Sequence, residues 1–332
     1  MSAFMNDFRT KIKLPQYSIA LHHQHQILTF GSCFAENIGR RLQQLKFQIH
    51  NNPFGILYNP IAIINNLQRL LENQAFTADE LFENNGIWHS WAHHSSYSNM
   101  DKNAALAAIQ QNFNQTKSAL NKTNRLILTF GTAYVFEYIK TGQIVANCHQ
   151  IPQKNFRKRI LSIDEITSNW LPFLLKLKMQ NPDLEVIISV SPIRHLRDGL
   201  LENQQSKATL LLVAGALATE LPFVHYFPAY EIMMDDLRDY RFYEADMLHP
   251  NSVAIDYIWQ GFQDSFFDKN TQTLIVAIQK IIAAGQHRPF HPNSSPHQQF
   301  LENQTNQIAQ LKENFPFLDF TEEIRRLEQQ KK

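Results

Sequence analysis

Apolar residues along this chain gather into short runs, separated by longer segments with helical spacing. Three runs read as buried strands from their length, their apolar content and the residue that follows them. QILTF (26–30) ends at Gly31, RLILTF (125–130) ends at Gly131, and LEVIISVS (184–191) ends at Pro192. FQIHN (47–51) and FVHYF (223–227) complete a set of five. Helical spacing fills the gaps at 35–46, 59–73, 102–122, 163–181 and 203–221. In the first of these, Ile38, Leu42 and Leu45 fall on one face. Strands alternating with helices predict βαβ units. The expected fold is α/β, a three-layer α/β/α sandwich around a central, mostly parallel five-stranded sheet.

Two segments break the rhythm. Residues 133–152 alternate around Lys140-Thr141-Gly142-Gln143 and predict a β-hairpin inserted after the third strand. From about residue 288 the composition shifts to HRPFHPNSSPHQQF, read as a Pro/His/Ser linker, and then to a polar amphipathic helix, LENQTNQIAQLKENF. One domain is therefore expected over 1–288, with a C-terminal linker and amphipathic helical tail over 289–332. No internal repeat is evident.

With 332 residues, 44% of them hydrophobic, the chain can bury a large core. Its 31 basic and 30 acidic residues leave a formal charge of +1, and no block of like charge precedes the terminal Lys-Lys. That balance argues against an electrostatic nucleic-acid or membrane-surface binder and leaves room for a local patch. The opening MSAFMNDFRTKIKLPQYS lacks the apolar centre of an export signal. The longest apolar stretches, such as LILTFGTAYVF, fall short of the roughly 18 residues that a bilayer span needs. A cytoplasmic protein is expected. Two cysteines, Cys33 and Cys148, provide no disulfide framework and fit a reducing compartment.

Candidate chemistry lies at the strand ends, because ligands of a parallel sheet bind outside its carboxyl edge. Gly31-Ser32-Cys33, Gly131-Thr132-Ala133 and Ser191-Pro192-Ile193-Arg194-His195 all fall there. Ser32 and Cys33 stand side by side where a helix should begin. Serine is a good helix cap and a buried cysteine is a small hydrophobe. A helix N-terminus also lowers a thiol's pKa and stabilises an oxyanion formed beside it. The residues alone leave both readings open. A matching base is found in Asp246 and His249, three apart on a loop before Pro250 and a helix starting near Asn251. There a carboxylate can fix the imidazole tautomer and leave the other nitrogen to accept a proton. The plainer reading makes Asp246 a turn cap and His249 one ordinary histidine of 14.

Residues 31–35 spell GSCFA, and the chain resembles the family named for that pentapeptide, itself similar to the SGNH (GDSL-like) hydrolases. The likeness includes NNPFGILYNP (51–60), HHSSYS (93–98), LTFGTAYVFE (128–137), NCHQIP (147–152), SVSPIRHLRDG (189–199) and YFPAYEIMMDDLRDYRFYEADMLHPN (226–251). It covers about residues 8 to 268. The resemblance implies an SGNH or flavodoxin-like sandwich and a set of roles. Gly31-Ser32-Cys33 matches the Gly-Asp-Ser of the superfamily, so Cys33 takes the nucleophile's position and Ser32 braces the turn. Asp246 and His249 match its Asp-x-x-His block, and Gly55 is the candidate for its oxyanion glycine. Gly131-Thr132-Ala133-Tyr134 stands for its Gly-x-Asn-Asp, with Ala133 where the oxyanion asparagine is expected. Asn147 and His149 are candidates for the missing donor.

The implied activity is an acyl-ester hydrolase or acyltransferase with a Cys33–His249–Asp246 triad. The substrate would be an O-acetyl or other short-acyl ester, with a carbohydrate as carrier, and no cofactor is required. Cysteine fits this chemistry, since a thiolate paired with an imidazolium accepts acyl groups. His94, Arg194 and His195 are candidates to line the cleft. Trp88, Trp91 and Tyr97 could stack on a sugar ring, although loop packing is favoured for any one of them. Asp235, Asp236 and Asp239 read as a solvated helix face. Metal binding by Cys33, Cys148, His149 and His249 is disfavoured, because Cys148 and His149 are adjacent rather than spaced as ligands usually are. Two competing classes remain: a non-catalytic carbohydrate-binding protein on a hydrolase scaffold, and a thiol-regulated protein using Cys33 and Cys148. No oligomeric state can be read.

Overall fold

The computed structural model describes residues 10–17, 19–287 and 289–331, so the first half of the segment read for an export signal lies outside the described residues. In chain order the elements are β1 (Gln26–Gly31), α1 (Cys33–Gln44), β2 (Gln48–Asn51), α2 (Pro60–Leu71), β3 (Leu81–Asn84), β4 (Ile87–Ser90) and α3 (Lys102–Leu120). Then come β5 (Arg125–Phe130), β6 (Tyr134–Tyr138), β7 (Gln143–Val145), β8 (Phe156–Ile160), α4 (Ile163–Gln180), β9 (Glu185–Val190), α5 (Leu200–Glu220) and β10 (Val224–Phe227). The chain ends with α6 (Ala229–Glu231), α7 (Ser252–Phe266), α8 (Lys269–Gln286), α9 (Ser295–Asn314) and α10 (Thr321–Glu328).

Five strands form the central sheet in the order β10-β9-β5-β1-β2, and every pairing is parallel. The chain reverses its direction of travel across the sheet between β1 and β5. A crevice opens at such a switch point, outside the carboxyl ends of the two strands. Alternation along each strand sends successive side chains to opposite faces. Leu28, Phe30, Leu128, Phe130, Ile188 and Val190 meet α2, α3, α4 and α5. Ile27, Ile127, Ile187 and Phe227 meet α1 and α7 on the other face. Both faces are therefore covered, which is why these strands read as unbroken apolar runs.

The insertion is larger than a hairpin. β6, β7 and β8 make a three-stranded antiparallel sheet, ordered β7-β6-β8. β8 is FRKRI, whose charges hide it from a search for apolar runs. Its Arg157 and Arg159 both donate to the buried Glu137 of β6, and their hydrogen bonds hold that carboxyl below its ordinary value. A second antiparallel pair, β3–β4, turns at Asn85 and Gly86, with φ +55° and +78°. These left-handed values suit the tight two-residue hairpin turn that Asn-Gly favours. Asp236 is also not on a solvated face. It is buried, and accepts from the Ile12 amide at 2.7 Å and the Tyr257 hydroxyl at 2.9 Å.

The C-terminal helices form a cluster of their own. Leu274, Ile278 and Ile281 of α8 pack with Leu301 and Ile308 of α9, then with Leu318, Phe320 and Leu327. An ion pair of 2.7 Å between Lys46 and Glu323 ties this cluster to the loop after α1. Among the described residues, no helix is long and apolar enough to cross a membrane.

Candidate active site

β1 passes into α1 through a single residue, Ser32. Gly31 before it has φ +149°, and a Cβ there would sit 2.3 Å from the Thr129 carbonyl oxygen, so the turn requires glycine. Ser32 is buried, and its Oγ accepts from the Phe34 amide at 3.2 Å. The hydroxyl is thus occupied as the cap of α1. Cys33, the first residue of α1, is half-buried and faces a cleft of ≈ 610 Å³. Thr132, Ser191, Arg194, His195 and His249 share that cleft, which lies between the strand ends and the inserted sheet.

His249 is oriented from behind. Its Nδ1 lies 2.6 Å from Asp246 Oδ2, while Asp246 Oδ1 accepts the amides of Leu248 at 2.9 Å and His249 at 3.0 Å. These bonds to the charged form hold the Asp246 carboxyl down to about 2. Arg194 secures the same loop by donating to the Met247 carbonyl at 2.9 Å, and its guanidinium lies 4.5 Å from the Tyr243 ring centre.

The sulfur of Cys33 has a partner that motif reading missed. Tyr58 Oη lies 3.6 Å from Cys33 Sγ. The Tyr58 carbonyl accepts the amides of Gly131 at 2.8 Å and Thr132 at 3.1 Å, so the end of β5 fixes the ring's position. His195 packs edge-on against that ring at 5.6 Å. Burial, reinforced by Cys33, raises the phenol above its ordinary value, so the hydroxyl stays protonated and can donate.

Lys207 is the second residue missed. Its ammonium is fully buried and donates to the Gly131 carbonyl at 2.7 Å and the Ser191 carbonyl at 2.8 Å, joining the ends of β5 and β9. Burial brings its pKa down to about 7. The available signal was its place on the apolar stripe of α5, in step with Leu210, Ala214 and Leu217.

Several expected donors have other work. The Gly55 amide donates to the Asn52 carbonyl at 2.8 Å, within a turn where φ is +75°. A committed amide of this kind cannot also receive an oxyanion, and Gly55 borders a neighbouring pocket together with His94. His94 is likewise absent from the wall of the Cys33 cleft, and its Nδ1 accepts the Ser96 amide at 3.2 Å. Asn147 does face the cleft, but its Oδ1 accepts the His149 amide at 2.9 Å. His149 is buried and its Nε2 donates to the Ser90 carbonyl at 2.8 Å, while burial lowers its pKa to about 4. In that neutral tautomer Nδ1 carries a lone pair, not a proton, so His149 is no oxyanion donor. Thr132 reaches the cleft while its Oγ1 pairs with Ser206 Oγ at 3.1 Å, and Ala133 beside it is buried.

The aromatic candidates pack locally. Trp91 stacks on Phe82 at 3.7 Å, Trp88 lies under Lys102 at 4.5 Å, and the Tyr97 hydroxyl donates to the Pro53 carbonyl. Cys148 borders the cleft as a free thiol, and burial pushes it up to about 11. Cys33 is also a free thiol, so the two sulfurs are not bonded.

A family model described as "GSCFA family" matches residues 26–262, well over half of the chain. The chain belongs to the GSCFA family. A second model, "GSCFA domain protein, C-terminal domain", matches residues 278–332 of this GSCFA chain, and so begins within α8. Among solved structures, the chain is similar to a carbohydrate esterase family 3 protein from Talaromyces cellulolyticus, at 16% identity with a TM-score of 0.25. That match covers 48% of this chain and 60% of the other, so the GSCFA chain spans less than two thirds of its length. No curated protein sequence matches the chain.

Proposed function

We propose that this GSCFA protein is an acyl-ester hydrolase or acyltransferase in which Cys33 is the nucleophile, His249 the proton carrier and Asp246 its orienting carboxylate. One observation carries the reading: a thiol at a helix N-terminus and an aspartate-held imidazole open onto the same cleft. In this mechanism His249 Nε2 takes the Cys33 proton and the sulfur attacks the acyl carbon. The oxyanion is met by the Cys33 amide, which has no earlier carbonyl of its helix to bond, and by Tyr58 Oη. Collapse breaks the ester C–O bond, His249 returns the proton to the departing alcohol, and a thioester remains on Cys33. Water or a second alcohol then takes the acyl group. The substrate class proposed, a short-acyl ester carried on a sugar, is the one that the motif likeness to SGNH hydrolases implies.

Intact-protein mass after brief exposure to an activated acetyl ester tests the mechanism. The expected result is one acetyl adduct on the wild type and on Ser32→Ala, and none on Cys33→Ala or His249→Ala. A panel of acyl esters yielding neither adduct nor released acid would favour the binding-protein reading, whose support is the alanine at position 133.

A further inference from the structure

The wall of the Cys33 cleft contains two guanidinium groups, Arg194 and Arg197, and no carboxylate among the described residues that line it. In a chain with 31 basic and 30 acidic residues, that is a local segregation of charge. Among the described residues, no carboxylate pairs with either arginine. Arg194 donates to a carbonyl and lies over Tyr243, so neither partner carries charge. Arg197 is exposed and has no hydrogen bond or ion pair among the described residues. Its field nevertheless reaches into the cleft, where it pulls the Cys148 thiol down against the larger effect of burial. Beneath the floor Lys207 bonds the carbonyls of Gly131 and Ser191, so it adds no negative charge to the cleft. Asp246, the carboxylate on the neighbouring loop, is committed to His249. Like charge collected around a partly enclosed cleft concentrates a counter-ion, and a free guanidinium offers paired donors to carboxylate or phosphate oxygens.

We propose that the ester taken by this cleft carries an anionic group, a carboxylate or a phosphate, received by Arg197 with Arg194 behind it. The anion belongs to the alcohol portion of the ester. Arg194 is bonded to the loop that carries His249, and His249 must reach the departing alkoxide to protonate it. The arginines therefore flank the leaving-group end. The apolar side chains of Phe136, Val145 and Phe156, from the inserted sheet, form another part of the wall.

The inference uses the acyl-transfer reading for the ester, whereas the anion site stands on charge alone, and the two can fail separately. Phenyl acetate, 4-carboxyphenyl acetate and 4-acetoxyphenyl phosphate would be compared by kcat/KM on wild type, Arg197→Gln and Arg197→Lys. The expected result is an anionic-to-neutral ratio that falls about tenfold or more in Arg197→Gln, since a charge-assisted hydrogen bond is lost, and partly recovers in Arg197→Lys. The ester with the larger fall identifies the anion as carboxylate or phosphate. A ratio that Arg197→Gln leaves unchanged for both anions overturns the proposal. Should the wild type turn over none of the three, the acyl-transfer reading fails, and calorimetric binding of benzoate and phenyl phosphate to Cys33→Ala decides the anion site. Binding weakened tenfold by adding Arg197→Gln supports the site, whereas no binding, or binding indifferent to Arg197, removes it.

Discussion

Tyr58 holds its hydroxyl 3.6 Å from the Cys33 sulfur, on a residue whose carbonyl is clamped by the amides of Gly131 and Thr132. Under the proposed mechanism this hydroxyl takes the place of the oxyanion donor expected at position 133. The replacement is a neutral O–H, which burial keeps protonated. Tyr58→Phe retains the ring and its contact with His195, so the expected loss is confined to the hydroxyl. Removal of one oxyanion donor costs roughly 10²–10³ in kcat. Steady-state kinetics on an activated ester should show that loss with little change in KM. A Tyr58→Phe enzyme with wild-type kcat would leave the hydroxyl without a part in the reaction.

Ser32 and Cys33 should separate cleanly in a paired measurement of stability and turnover. Ser32 caps α1 from a buried position, so Ser32→Ala should lower stability by roughly 0.5–2 kcal/mol while turnover persists. Cys33→Ala should do the reverse, leaving the melting temperature near that of the wild type and abolishing turnover. Loss of turnover in a fully folded Ser32→Ala would transfer the nucleophile's role to the serine.

Asp246 bears on the pH profile. Its carboxyl is held down to about 2 from an ordinary 3.8, chiefly by the His249 amide and ring, so it stays ionised through the mildly acidic range. A depressed carboxylate contributes stability that is present above pH 3.8 and lost only as pH falls towards 2. Any decline in turnover between pH 4 and pH 6 therefore belongs to another group. Asp246→Asn should cut kcat by roughly 10²–10⁴, because the amide no longer fixes the imidazole tautomer. A wild-type rate profile with a limb at an unshifted aspartate pKa would contradict this arrangement.

Much of this architecture is legible along the chain, and the gaps have physical causes. β1, β5 and β9 are buried on both faces, so their ends are marked by the sequence to within a residue. β8 escapes because Glu137, together with Glu165, balances Arg157 and Arg159, so a strand with no apolar run can pair there. Asn85-Gly86 is a turn signal that the search for apolar runs passed over, and the pairing shows that the flanking segments are strands. Motif likeness leads to Cys33, Asp246 and His249. The groups around them depend on two contacts between distant segments and on one local turn. Tyr58 meets Gly131, Gly55 is consumed by Asn52, and His149 turns to Ser90, none of which spacing discloses.

Lys207 offers the sharpest link between fold and cleft. A neutral amine still has two N–H groups for the carbonyls of Gly131 and Ser191, so losing the third proton need not break either bond. Burial lowers the pKa from 10.5 to about 7 in the folded chain. Between those values the unfolded chain keeps a proton that the folded chain has released, so stability rises with pH across that window. Below pH 7 both states are protonated and the full cost of the buried charge is present. Lys207→Met removes this titration and leaves both carbonyls without their donor. Its stability deficit relative to wild type should therefore widen between pH 6 and pH 9, by on the order of 2–3 kcal/mol. Urea midpoints at the two pH values measure that difference, and the comparison with wild type cancels the titration of every other group. Because Gly131 and Ser191 lead into Thr132 and Ile193 on the cleft wall, kcat should fall in the same variant. Parallel stability curves for wild type and Lys207→Met would mean that the ammonium keeps its charge throughout, with a tightly bound counter-charge or water that lifts its pKa back towards 10.5.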